Sequence, residues 1–156
     1  MNEEQSYLAN LLNEAVKRVY AEERFLLQYA QGDRAGLEQA FVFRVGLYLK
    51  VLLQGTVYEK LDLDSEYNKN HGGAKTSRRF PKGIRPDLII HKRDSNEENK
   101  LVTEFKGYWE KDIEGDLQKL EDLTDPRDNF HYVLGAFVLI GKEQANYRYF
   151  VDGNEI

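Results

Sequence analysis

Two short apolar segments in the middle of the chain carry charged side chains where a buried strand normally carries none. Asp87 stands directly before the first segment, Leu88–His91, and Glu104 and Lys106 lie within the second, Leu101–Lys106. Two carboxylates held close together repel each other, and burying them unpaired costs several kcal/mol each. Lys106 would neutralise part of this charge, and a divalent cation would do so better, because carboxylate oxygens suit Mg²⁺ or Mn²⁺.

These charges come together only if the two segments are neighbouring strands. Alternate residues of a strand share a face, so Glu104 and Lys106 lie on one side together with Val102. The polar turn DSNEEN between the segments predicts an antiparallel hairpin. In a simple register, this hairpin brings Asp87 near Glu104 and Lys106.

Each of these residues also has an ordinary structural interpretation. Asp87 follows Pro86 and would serve as a turn acid at the start of a strand. Glu104 and Lys106 would form the wet side of a half-exposed strand, weakly paired. Pro-Asp, strand, turn and Glu-x-Lys occur together in one hairpin, and this combination favours the metal site.

Pro86–Asp87 followed by Glu104, Phe105 and Lys106 resembles the motif of the PD-(D/E)XK nuclease superfamily, which has the restriction-endonuclease-like fold. Sixteen residues separate Asp87 from Glu104, within the range of that superfamily. The stretches LDSEYNKN, RPDLIIHKR and GDLQKLEDLT resemble a set of small bacterial members whose individual roles are mostly undefined. The resemblance covers most of the chain.

The resemblance implies a metal-dependent nuclease that hydrolyses phosphodiester bonds, with DNA as the favoured substrate and RNA as the alternative. Asp87 and Glu104 would hold Mg²⁺ or Mn²⁺ together with the backbone carbonyl of Phe105. Lys106 would orient or deprotonate the attacking water. The superfamily often has one more acid on the preceding helix, and Glu38 is the candidate here, as a metal ligand and a catalytic residue.

Glu38 also stands out by its position alone. On a helix it shares a stripe with four apolar residues, Phe41, Val42, Val45 and Leu49. An acid on a core-facing stripe needs a reason, and a metal site would supply one. The alternative is that Glu38 lies in the first turns after Asp33, where the helix dipole favours acids. Both interpretations stand.

The hydrophobic pattern predicts an α/β protein: a restriction-endonuclease-like α/β/α core with a mixed sheet and an extra N-terminal helix, as one domain over residues 1–156. Gly32 is predicted to end the first helix and Asp33 to cap the second. The predicted elements are helices over 5–30, from Asp33 to about 53 and over 112–123, strands within 56–70, 88–91, 101–106, 131–141 and 147–151, and an exposed loop over 69–86.

Charge is unevenly distributed along the chain. The net charge is −5, yet residues 69–93 contain eight basic side chains and one acidic side chain. Such a basic zone concentrates an anionic polymer on an acidic body, although a solvated loop is the alternative. Four of these residues would hold phosphates beside the metal site: Arg78, Arg79, Lys82 and Arg85.

Other features bound the function. The chain has no cysteine, no signal-like N-terminus and no long apolar run, so we expect a soluble cytoplasmic protein without a membrane partner. A homodimer is plausible because duplex cleavage needs two cuts. His91 is predicted to be a satisfied buried histidine and Lys119 to be solvated. The alternative function is a non-catalytic nucleic-acid or protein binding module that retains the nuclease fold.

Overall fold

The first helix forms because its start is capped and one side is apolar. Asn2 accepts the backbone N–H of Gln5 at 2.9 Å, and the Gln5 side chain accepts the Asn2 N–H at 2.7 Å, which makes a capping box. Leu8 and Leu12 on the apolar side are fully buried. This stripe packs against the third helix and the sheet.

The computed structural model describes residues 1–28 and 35–156. In chain order the elements are α1 (Glu3–Glu22), α2 (Phe25–Gln28), α3 (Ala35–Leu52), β1 (Asp62–Ser65), β2 (Lys69–Asn70), β3 (Gly73–Ala74), β4 (Leu88–His91), β5 (Leu101–Gly107), α4 (Glu114–Thr124), β6 (Leu134–Ile140), β7 (Ala145–Val151) and β8 (Asn154–Glu155). The first predicted helix is too long, since α1 ends at Glu22 and α2 is separate. The predicted helix end at Gly32 and cap at Asp33 lie outside the described residues.

Six strands form one mixed sheet in the order β1-β4-β5-β6-β7-β8. The β4–β5 pair is antiparallel, with Leu88 opposite Thr103, so the predicted hairpin is confirmed. The β5–β6 pair is parallel over its whole length, and β6–β7 is antiparallel again. The general prediction of an α/β fold with a mixed sheet is therefore confirmed.

The sheet separates two apolar clusters. One contains Phe105 and packs under α1 and α3, and the other contains Val102 and packs under α4. Phe105 and Val102 point to opposite faces, as the alternation of a strand requires. The predicted grouping of Glu104 and Lys106 with Val102 therefore assigns them to the α4 face.

The segment between α3 and β4 differs from its prediction in two ways. The strand expected within residues 56–70 begins late and is interrupted: residues 56–61 form turns and bends, and only β1 and the two-residue β2 are extended. The predicted exposed loop over 69–86 contains the β2–β3 hairpin and the buried residues Lys75 and Ile84. Lys75 donates to the Tyr132 hydroxyl oxygen at 2.7 Å, which ties the loop to the body.

No helix within residues 1–28 and 35–156 is both long enough and apolar enough to cross a membrane.

We expect neighbouring leucines of α3 to differ sharply in their contribution to stability. Leu49 is fully buried, whereas Leu47 is 46% exposed on the same helix. Leu49→Ala should lower the free energy of unfolding by about 2–5 kcal/mol because it leaves a cavity, and Leu47→Ala should change it by less than about 0.5 kcal/mol. Urea unfolding of both variants measures the difference; equal losses would contradict the described orientation of α3.

Candidate active site

The candidate site lies where β5 extends beyond its neighbour. β4 begins at Leu88, opposite Thr103, so the last four residues of β5 have no partner from β4. Two side chains supply the missing acceptors. Asp87 Oδ2 accepts the Phe105 N–H at 2.7 Å, and Glu38 Oε2 accepts the Gly107 N–H at 3.0 Å. Backbone donors that would otherwise be orphaned are thus satisfied by two carboxylates.

The backbone carbonyl of Phe105 faces the same gap. In a strand, the N–H and the C=O of one residue point toward the same neighbouring strand. The N–H of Phe105 points to Asp87, so its carbonyl is directed toward the Asp87 side as well. This is the side on which the sequence predicted it as a metal ligand.

Glycine is needed at position 107 because the chain turns back on itself there. A Cβ at Gly107 would lie 2.2 Å from the Trp109 ring, far inside contact distance. Any other residue would displace either the ring or the strand end.

Glu104 is the most deeply buried acid of the site. Its side chain is 4% exposed, and Oε1 is fully buried without a hydrogen-bond partner among the described residues. Oε2 lies 3.4 Å from the Lys119 ammonium, which is its charge partner. A buried carboxylate oxygen without a donor is unusual and points to a role beyond folding.

Helix α4 supplies two more charged groups. The sequence analysis missed Asp116 and predicted the wrong environment for Lys119. Asp116 Oδ1 lies 2.7 Å from Lys119 Nζ, and its Oδ2 lies 3.5 Å from Lys106 Nζ. Lys106 Nζ is also 3.9 Å from Glu38 Oε1. The prediction that Lys119 is solvated is wrong, because Lys119 is mostly buried between Glu104 and Asp116.

A simple pattern points to this contribution of α4. Asp116 and Lys119 are three residues apart, so a helix places them on the same side. That side also carries the buried residues Leu117 and Leu120. Charged residues beside a buried stripe, directly after the Glu-x-Lys strand, are a signal that sequence reasoning could have used.

The cluster carries more acid than base. Four carboxylates, those of Glu38, Asp87, Glu104 and Asp116, share two ammonium groups. If all six groups ionise, two negative charges remain uncompensated. This excess equals the charge of one divalent cation.

The excess charge appears in the pKa values. Burial raises the pKa of Asp87 to about 6, with Glu38 and Asp116 adding to the shift. Burial raises the pKa of Glu104 well above its ordinary value, and the Asp87 carboxylate adds to this. Burial also raises the pKa of Glu38, against the opposing hydrogen bond from Gly107. These three acids therefore hold protons more tightly than free carboxyl groups do.

The pKa of Lys106, the lysine of the motif, is shifted upward, which keeps the side chain charged. Burial acts to lower the pKa of Lys106, but the carboxylates of Asp116 and Glu38 outweigh it, and the pKa is raised. Lys106 is therefore an ammonium group at neutral pH. It can hold an anion or a water molecule, but it is not an available base.

The acids of the cluster do not form a ready metal site. Within the described ranges, no three acidic or histidine side chains stand together in an arrangement that could hold an ion. The unpartnered Glu104 oxygen suits a hard cation, and Lys119 pairs with the other oxygen of the same carboxylate. The predicted ligands Asp87, Glu104 and Glu38 are gathered in one region but are engaged with protein donors.

The basic residues of the loop differ in availability. Arg79 is committed to α4, with Nε 2.7 Å from Asp122 and Nη1 2.7 Å from Glu121. Arg85 is largely exposed and lies 3.9 Å from Glu66. The other two predicted phosphate ligands, Arg78 and Lys82, are exposed.

His91 has the role that the sequence predicted for it. Its side chain is buried, and Nε2 lies 2.9 Å from the carboxylate of Asp64. It stands at the opposite end of β4 from Asp87 and takes no part in the acidic cluster.

Comparison of the chain with protein-family models, with curated proteins and with solved structures gave no match.

We expect replacement of Asp87 by asparagine to stabilise the metal-free protein at neutral pH. The pKa rises from 3.8 to about 6, so the folded state binds this proton more tightly than the unfolded state. The free energy of unfolding therefore falls as pH rises from about 4 to about 6, by at most about 3 kcal/mol. Asp87→Asn retains an acceptor for Phe105 and should recover about 1–3 kcal/mol at pH 7.

Urea unfolding from pH 4 to pH 7, without divalent cations, measures this effect as the difference between variant and wild type. The exposed Asp112 provides the control, since Asp112→Asn should leave the profile unchanged. A less stable Asp87→Asn variant at pH 7 would contradict the burial of charge described here.

Proposed function

We propose that this protein is a metal-dependent nuclease of the restriction-endonuclease-like type, which hydrolyses phosphodiester bonds. DNA is the favoured substrate and RNA is the alternative. The observation that supports this most is the buried Glu104 carboxyl group beside Asp87, with one oxygen that has no hydrogen-bond partner among the described residues. A purely structural cluster would gain stability by losing an acid. Retaining all of them suits a site that binds a cation.

The proposed roles follow from position. Asp87, Glu104 and the Phe105 carbonyl hold Mg²⁺ or Mn²⁺, and Glu38 assists from α3. When bound, the ion lowers the pKa of its water and places positive charge opposite the phosphate. Lysine supplies a compact charge for the phosphate oxygens.

Lys106 would act through its charge. Its raised pKa beside Asp116 and Glu38 favours the ammonium form, which would orient the attacking water or stabilise the phosphate that gains negative charge. Lys119 is the second ammonium group at the site and pairs with Glu104. A cation held by Asp87 and Glu104 would compete with Lys119 for Glu104, and both lysines would keep Asp116 as a partner.

Two wider features belong to the same proposal. A homodimer would supply two sites for the two cuts that a duplex needs. A cytoplasmic location agrees with the absence of cysteine from the chain.

A second candidate function rests on the ion pairs themselves. Lys106 and Lys119 already neutralise much of the acidic cluster without any metal. A non-catalytic binding module that retains the nuclease fold would look the same at this level. The nuclease predicts cleavage that requires Lys106, whereas the binding module predicts no cleavage.

We expect the purified protein with Mg²⁺ or Mn²⁺ to cut nucleic acid, and Lys106→Ala to reduce the rate at least about 100-fold, because it removes a charge that stabilises the transition state. The assay uses plasmid, linear duplex, single-stranded and branched DNA, together with RNA. EDTA should abolish cleavage.

The exposed Lys17 on α1 provides the matched control, and Lys17→Ala should cut like the wild type. Equal traces for wild type and Lys106→Ala on every substrate would reject the nuclease. Binding without cleavage would then assign the protein to the second candidate function.

We further expect the exposed basic residues of the loop to contact phosphates. Arg78→Ala and Lys82→Ala should each reduce the slope of log affinity against log salt concentration by about 0.9, the value for one phosphate contact. A salt titration of duplex binding measures this slope. Lys92→Ala, which removes an exposed charge at the other end of β4, should leave it unchanged. Arg79→Ala is unsuitable because it also unpairs Asp122.

A further inference from the structure

A pocket opens beside the acidic cluster, between α3 and the ends of β1 and β4. Gln39, Val42 and Phe43 form its α3 side, and Ser65 and Glu66 form the opposite side. Asp87 and Glu38 also line it, so the pocket shares two carboxylates with the candidate active site. A molecule bound in the pocket therefore lies beside carboxylates that the proposed nuclease uses.

Phe43 is the unusual residue of this pocket. Its side chain is 61% exposed, although a phenylalanine normally gains about 1.5–3 kcal/mol from burial. The ring stands one helical turn from Gln39, so the aromatic face and the amide border the same space. An exposed aromatic ring in a pocket with polar walls is a surface on which a flat ring can stack.

The volume of the pocket limits what it can hold. The cavity measures about 260 Å³, whereas sites for drug-sized ligands span roughly 300–1,000 Å³. A single nucleobase suits this volume. A base inside a duplex has both faces covered by its neighbours, so it is not free to stack on Phe43. A base must leave its duplex, or belong to a single strand, before it can enter.

The charge of the pocket decides which part of a nucleotide it accepts. Three carboxylates line it, those of Glu38, Glu66 and Asp87, and they repel a phosphate. A neutral base is not repelled, and carboxylate and amide oxygens accept hydrogen bonds from exocyclic amino groups. Arg85, 3.9 Å from Glu66 and largely exposed, provides a cation at the rim for the attached phosphate.

We infer that this pocket receives one unpaired nucleobase of the substrate, stacked on Phe43, and prefers a base with an amino group over thymine. The inference rests on the proposed nuclease function, because the base enters beside the carboxylates that hold the ion. It narrows the substrate to single-stranded nucleic acid or to duplexes with an unpaired nucleotide next to the scissile phosphate.

The test measures binding separately from cleavage. The protein is titrated into labelled twelve-residue DNA probes: a single strand of dC, a single strand of dT and a mixed-sequence duplex. Fluorescence anisotropy is recorded with Ca²⁺ in place of Mg²⁺ and again in EDTA. Phe43→Ala should weaken dC binding at least about 5-fold, the lower end for loss of one stacked base. Wild type should bind dC about 3- to 10-fold more tightly than dT, the ratio for one hydrogen bond.

Two control variants separate stacking from general damage. Phe43→Tyr retains a stacking ring and should bind dC like the wild type. Leu47→Ala removes another exposed apolar side chain one turn further along α3, outside the pocket, and should also bind normally.

Several results would overturn the inference. These are undiminished binding by Phe43→Ala, equal affinity for single strand and duplex, or no binding in either buffer. Sedimentation of wild type and Phe43→Ala tests one further result that would overturn it. If the substitution dissociates a dimer and the loss of binding follows dissociation, a second copy of the chain covers this face.

A cleavage assay on the same substrates distinguishes this inference from the proposed function. If wild type cuts DNA and Phe43→Ala cuts both the single-stranded and the duplex substrates as fast as wild type does, the pocket inference fails and the nuclease stands. If nothing is cut but dC binding still depends on Phe43, the nuclease fails and the pocket inference stands.

Discussion

The candidate site depends on a mismatch in length between two paired strands. β5 continues for four residues beyond the point where β4 begins, and a strand end without a neighbour exposes backbone donors. Here Asp87 and Glu38 accept the N–H groups of Phe105 and Gly107, so the sheet is completed by side chains instead of by backbone. Two carboxylates are thereby fixed at a defined separation from the strand that carries Glu104 and Lys106. The position of these two acids is thus a consequence of the break in the ladder.

Concentrating acids in this way is unfavourable, and α4 offsets part of the penalty. Lys119 reaches the deepest acid, and Asp116 bridges the two lysines, so that charges from β5 and α4 alternate in space. The compensation is incomplete, since burial keeps the pKa values of Asp87 and Glu104 raised and one Glu104 oxygen has no donor. Burying these acids together therefore costs stability. Such local instability is a common property of functional sites.

The surroundings of the cluster divide into surfaces of different character. The α4 side supplies ammonium groups, and the α3 side supplies the apolar and acidic pocket that contains Phe43. Positive charge and apolar surface thus lie on different sides of Asp87. The basic loop is less of a phosphate surface than its composition suggests, because Arg79 is bound to α4 and Lys75 is buried against Tyr132.

The sequence by itself determined the hairpin, the alternation that puts Glu104 and Lys106 on one face, the helices on both sides of the sheet and the place of Glu38 on α3. These follow from local periodicity and turn residues, which act over a few positions. Only the tertiary structure decided that α4 brings Asp116 and Lys119 to the cluster, that Lys75 is buried and that Arg79 is paired. Those contacts join residues that are 10 to 57 positions apart in the chain, as with Lys106–Asp116 and Lys75–Tyr132. The spacing of Asp116 and Lys119 indicates that they share one side of a helix, but which element that side covers depends on tertiary packing.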